Sequence, residues 1–179
     1  MAWRIAGSEG LAGLTLRDVA RGVGMRAPSL YSYFASKHAI YDAMFAQGCR
    51  EYLQGLDELT YTGDPLTDLK IGVRYFIGFC TANPVRYQLL YQRTIPGFEP
   101  TAETFALSIA GLDRMRAKLA ELGITDLASL DLLTAIGTGL TDQQISNDPG
   151  GDRWIRLVDE AVEMYFTHIS DRRKARDEP

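Results

Sequence analysis

Residues Thr15 to Lys37, TLRDVARGVGMRAPSLYSYFASK, constrain what this chain can fold into more than any other stretch. They predict two short helices joined by a tight turn, with a third helix following at once. That is the layout of a helix-turn-helix, which sets its second helix in a DNA major groove. Thr15 can cap the first helix, and Asp18 completes a short capping box with favourable charge in the first turn. Leu16, Val19, Ala20 and Val23 recur at helical spacing, which predicts one buried face. Gly24 can take the left-handed conformation that ends a helix and opens a sharp turn. Met25 then fills the gap between the helices.

The second helix is predicted to start at Arg26 or Ala27, with Pro28 in its first turn, where a missing N–H costs little. Leu30 and Phe34 face inward with Met25. Arg26, Ala27, Ser29, Ser32 and Tyr33 are left outside, a small, hydroxylic, cationic and aromatic set suited to a groove floor and phosphate walls. Ser36 reads as the N-cap of the next helix. Lys37 in that first turn opposes the helix dipole, so its partner is expected outside its own helix. The local pattern also fits a three-helix packing unit whose polar residues are merely solvated.

Thr15-Leu16-Arg17-Asp18-Val19-Ala20, Gly24-Met25, Ser29-Leu30-Tyr31-Ser32-Tyr33-Phe34 and Ser36-Lys37 together resemble the N-terminal domain of the TetR family of transcriptional regulators. The resemblance implies an all-α fold. An N-terminal helix-turn-helix DNA-binding domain over residues 1–47 would precede a helical ligand-binding and dimerisation domain over 48–179. By the same resemblance Thr15, Tyr31, Tyr33 and Lys37 would hold phosphates, and Arg26, Ala27, Pro28, Ser29 and Ser32 would face base edges. Arg26 stands where many relatives have Ser or Thr; both a guanine and a phosphate remain open to it. The family's first helix is usually fuller and follows a basic arm. Here about two turns precede Glu9-Gly10, and Arg4 is the one cation in that region. This departure leaves two readings: a start further upstream, or a helical dimer that binds a ligand or protein but no DNA.

Charge distribution has the sign a DNA-facing end needs. Up to Gln47 there are five Lys and Arg against three Asp and Glu, and beyond it fourteen against twenty. Cys49 and Cys80 lack metal-ligand spacing and read as buried thiols. No secretory signal or long apolar run is present, so a cytoplasmic protein without membrane contact is expected.

After Lys37 the sequence predicts only helices: about Ser36–Leu59, Leu66–Thr81, a short one after Asn83-Pro84, one ending at Gly123, then Asp126–Ser146 and Gly151–Ser170. In the last, apolar positions from Trp154 to Ile169 sweep about 200°, roughly twice what a surface helix needs. The surplus predicts a second buried face, and the family dimerises through its last two helices. Ile136, Leu140, Trp154, Val158, Ala161 and Tyr165 are the expected homodimer contacts, with Gly137 and Gly139 allowing close helix approach. The family also encloses a small-molecule pocket in its middle helices. Phe76, Phe79, Tyr87, Tyr91, Phe105 and Ile109 are the side chains expected around a small apolar or aromatic effector. No catalytic residue set, metal site or cofactor motif is recognised: His38 and His168 stand far apart, and no Walker loop, nucleophile elbow or dinucleotide fingerprint occurs. The combined expectation is a ligand-responsive regulator, most simply a repressor, reading a double-stranded, pseudo-palindromic operator as a homodimer.

Overall fold

The computed structural model describes residues 1–177, and its regular structure is entirely helical. The helices are α1 (Ala2–Gly13), α2 (Leu16–Gly22), α3 (Ala27–Tyr31), α4 (Lys37–Asp57), α5 (Pro65–Ala82), α6 (Pro84–Tyr91), α7 (Ala102–Glu121), α8 (Leu127–Asn147) and α9 (Val158–Asp177). A single 3-10 turn, Ile155–Leu157, leads into α9. The chain divides into two compact units that interleave in sequence: Met1–Leu53 with Asn83–Ala110, and Gln54–Ala82 with the chain from Gly111 onward.

The first unit holds α1 to α3, most of α4, α6 and the start of α7. Ile5, Ala6, Leu14, Leu16, Ala20 and Leu30 meet Ile40, Tyr41 and Met44 of α4 in one core, with Leu89 of α6 beneath. Burying each large aliphatic side chain there contributes about 1.5–3 kcal/mol. α1 is interrupted at Gly10, whose φ of 73° and ψ of 166° turn the chain so that Leu11 and Leu14 can reach this core. Trp3 Nε1 donates to Gln47 Oε1 at 3.2 Å, and the Tyr41 hydroxyl donates to the Leu11 carbonyl, so α1 is tied to α4 at both ends.

The second unit is organised around α5, which packs on both α8 and α9. Leu69, Val73 and Ile77 form its inward row, facing Leu133 of α8 and Val158, Val162, Tyr165 and Ile169 of α9. Gly137 faces the Phe76 ring of α5, where a Cβ would make an ordinary contact at 3.6 Å, whereas a Cβ on Gly139 would meet nothing within 4 Å.

The last helix departs from its predicted span. Buried Gln144 accepts from Trp154 N at 2.8 Å and Ile155 N at 3.3 Å, and Asp148 accepts from Arg153 N at 2.9 Å. These side chains hold 151–154 as a capped turn, so the regular helix begins at Val158 rather than Gly151. Trp154, Ile155 and Leu157 are therefore not part of one continuous helical stripe.

Candidate nucleic-acid interface

The turn between α2 and α3 closes as the sequence requires. Gly24 has a φ of 71°. Its N–H reaches the Arg21 carbonyl at 3.2 Å, and Met25 N reaches the Ala20 carbonyl at 2.9 Å. These two bonds make a Schellman closure, which satisfies the last carbonyls of α2 and reverses the chain. Thr15 caps α2, its hydroxyl accepting from Asp18 N at 3.1 Å. The same hydroxyl and the Arg21 guanidinium hold the Asp18 carboxyl below the usual carboxylate range, against a smaller push from lost hydration. Ser36 Oγ accepts from Ala39 N at 3.2 Å and so caps α4.

With Leu30 buried and Met25 and Phe34 packed against the core, the other side of α3 and its flanks is open. Arg26, Pro28, Ser29, Tyr31, Ser32 and Tyr33 are all exposed. Tyr31 keeps 55% of its surface and Tyr33 73%, a large aromatic area for a fold to leave in water without use. Arg26 occupies the N-cap of α3, where a guanidinium has no acceptor to offer the helix N–H groups, and it makes no ion pair among the described residues. Ser32 Oγ donates to the Ser29 carbonyl at 2.7 Å.

Three positions sit differently from their expected places. Ala27 is half-buried against the core. Val23, expected inside, caps α2 and is 47% exposed, because the chain leaves the helix there. Lys37 is half-buried, and its Nζ donates to the Ala12 carbonyl at 2.6 Å. A cation at the C-terminal end of α1 complements that helix's dipole, which accounts for a lysine in the disfavoured first turn of α4. An ammonium has three donors, so this bond leaves two for other acceptors. Arg17, exposed in the first turn of α2 beside Thr15, is a further cation that the motif did not single out.

The expected effector side chains divide between the units. Phe76 packs on the second core, and Phe79 lies 6.1 Å from the Tyr75 ring. Tyr87, Tyr91, Phe105 and Ile109 belong to the first unit; Tyr87 is buried, its ring 5.8 Å from that of Tyr91. Of the expected dimer contacts, Val158 and Tyr165 lie in the core of their own unit, where burial raises the Tyr165 hydroxyl to about 12. Ile136, Leu140 and Ala161 line an apolar groove between α8 and α9, together with Leu132, Met164 and Tyr165 itself. Trp154 is half-buried in the turn before α9.

No group of His, Cys, Asp and Glu among the described residues could hold a metal ion, and no described helix is long and apolar enough to cross a membrane.

An N-terminal helix-turn-helix carried on an all-helical body is the architecture of a DNA-binding regulator. Residues 1–44 match the family described as bacterial regulatory proteins, tetR family. The HTH-type transcriptional regulator Rv1816 of Mycobacterium tuberculosis is 29% identical over 93 residues, a stretch covering 50% of this chain and 40% of that protein. Similar folds include the TetR family regulator PfmR of Thermus thermophilus, with a TM-score of 0.65 at 16% identity over 93% of this chain and 94% of that one. FadR of Bacillus subtilis, solved with stearoyl-CoA, gives a TM-score of 0.71 at 13% identity, covering 93% and 94% of the two chains. The family match thus covers the N-terminal helix-turn-helix, and the likeness of the whole chain to these structures is one of fold.

Proposed function

We propose that this protein regulates transcription by binding a pseudo-palindromic DNA operator as a homodimer, and that a small apolar or aromatic effector releases it, making it a repressor. The observation that carries this reading is the unspent outer face of α3: hydroxyls, a free guanidinium and two exposed tyrosines around an otherwise well-buried helix pair. Tyr31, Tyr33, Thr15 and Lys37 are assigned to phosphates, and Arg26, Pro28, Ser29 and Ser32 to base edges. Residues 1–47 serve as the DNA-binding part and 48–179 as the part that binds effector and partner.

Two such faces about one helical turn (~34 Å) apart read two half-sites. The α8/α9 groove is the surface that brings the second copy. An effector shifts the balance only through its difference in affinity for the operator-competent and incompetent arrangements. α4 is the natural lever, since its sequence contributes to both units and begins immediately after α3. FadR's complex with stearoyl-CoA supports small-molecule control within this fold.

Fluorescence anisotropy with DNA from upstream of the protein's own gene, at several salt concentrations, tests the reading. Competitor-resistant binding that weakens steeply with salt is expected. Tyr31→Ala should weaken all sequences alike, and Arg26→Ala should change base preference if it reads guanine. A folded dimer that shows no preference for any duplex over bulk DNA would refute it.

A further inference from the structure

The first unit contains a cavity of about 350 Å³ that the expected effector set only grazes. Its apolar walls are Phe45 of α4, Leu90 and Tyr91 at the end of α6, Ile95 and Phe98 of the following segment, and Phe105 of α7. Tyr91 is 38% exposed and Phe105 50%, so two aromatic rings are left accessible. Its volume lies at the lower end for ligand sites, which suits a compact molecule. Arg93 and Glu99 also line it, and neither makes an ion pair among the described residues. With one charge of each sign, an ion is attracted by one and repelled by the other and gains little to offset its lost hydration, which favours a ligand without net charge. Ser108 Oγ donates to the Phe105 carbonyl at 2.8 Å and keeps its lone pairs for an incoming donor.

The cavity wall is also a support of the DNA-binding helices. Phe98 sets its ring 5.5 Å from that of Tyr41 and 6.0 Å from that of His38. Where the segment ends, Asp42 accepts from Thr101 N at 2.8 Å and from Thr104 Oγ1 at 2.6 Å. Residues 92–101 are thus pinned to the first turns of α4, directly after α3.

We infer that this cavity is the effector site, that it takes a compact, uncharged aromatic molecule with a hydrogen-bonding edge, and that occupancy is felt by the first turns of α4 through Phe98 and the Asp42 clasp. The regulatory meaning rests on the DNA-binding reading above; the binding and the coupling to α4 do not.

The test uses the full chain and three probes sharing one ring system: 2-naphthol, 2-naphthoate and 2-naphthylmethylammonium. Calorimetry should show one 2-naphthol per chain, bound several-fold more tightly than either ion. Phe105→Ala should weaken it about tenfold, the loss of roughly 1.4 kcal/mol of ring contact. Ser108→Trp, which fills the cavity, should abolish binding while helical content is kept. Hydrogen exchange should slow at Thr101 and over His38–Asp42 when 2-naphthol is present. Absence of 2-naphthol binding, tighter binding of either ion, indifference to Phe105→Ala, or binding without any change in exchange at α4 would each overturn the inference. None of these measurements involves DNA, so their failure is distinct from a failure to bind an operator.

Discussion

Replacing Met164 by Glu probes the proposed partner-binding face where the monomer least needs its own side chain. Met164 is 66% exposed and sits in the α8/α9 groove beside Ala161 and opposite Leu132, Ile136 and Leu140. Full burial of a methionine is worth about 1.5–3 kcal/mol, so the two thirds still exposed represent roughly 1–2 kcal/mol per copy. An isologous interface counts the position twice, giving about 2–4 kcal/mol, or a dissociation constant raised about 30- to 1000-fold. The buried carboxylates would add to this. Sedimentation equilibrium across a range of protein concentrations measures the change. The monomer should keep its helical content, because Val158, Val162, Tyr165 and Ile169 on the inward side are untouched. A dimer of undiminished affinity in the variant would show that the copies meet elsewhere.

Three other perturbations separate local from global contributions. Gly24→Ala forces a side chain to a φ of 71° and should cost about 1–2 kcal/mol in urea unfolding, with loss of operator binding well below the unfolding midpoint. Ile77→Ala removes a fully buried side chain from the second core and should cost about 2–5 kcal/mol by the same measurement; a change within error would mean the core collapses around the gap. Burial pushes the Asp68 carboxyl up, but hydrogen bonds from Thr62 and Gly63 and the Lys118 charge outweigh it, and its net shift is downward. Asp126 is lowered chiefly by the Ser129 hydroxyl, and Asp148 chiefly by Arg153 N–H. Groups with depressed folded pKa values contribute stability that is complete above the unfolded value and lost as pH falls through the folded one. Thermal unfolding should therefore be nearly level from pH 7 to about 5 and decline below about 4, less so in Asp68→Asn.

The parts of the molecule legible in its sequence are those fixed by short-range chemistry. The Thr15 and Ser36 caps and the Gly24 turn are all set by residues a few positions apart. Lys37 is legible only as an anomaly: its partner, the Ala12 carbonyl, lies 25 positions away, and no local pattern names it. The start of α9 is not legible, because apolar periodicity says nothing of a buried Gln144 that claims the N–H groups of Trp154 and Ile155. The same limit hides that Val158 and Tyr165 are buried in the core of their own unit, Tyr165 also reaching the α8/α9 groove. Periodicity detects that two faces are apolar, but which face meets α5 depends on the packed unit. Phe76 and Phe79 share aromatic character with Tyr91 and Phe105, yet their segments join different compact units, which composition cannot reveal.

Selection of bound duplexes from a random DNA library by the purified protein, followed by salt-dependent anisotropy on the enriched site, tests the central claim most directly. The account predicts enrichment of one inverted repeat with half-sites about one helical turn apart, bound with a steep salt dependence that Tyr31→Ala reduces. Enrichment of no sequence, by a protein shown to be folded and dimeric, would contradict it.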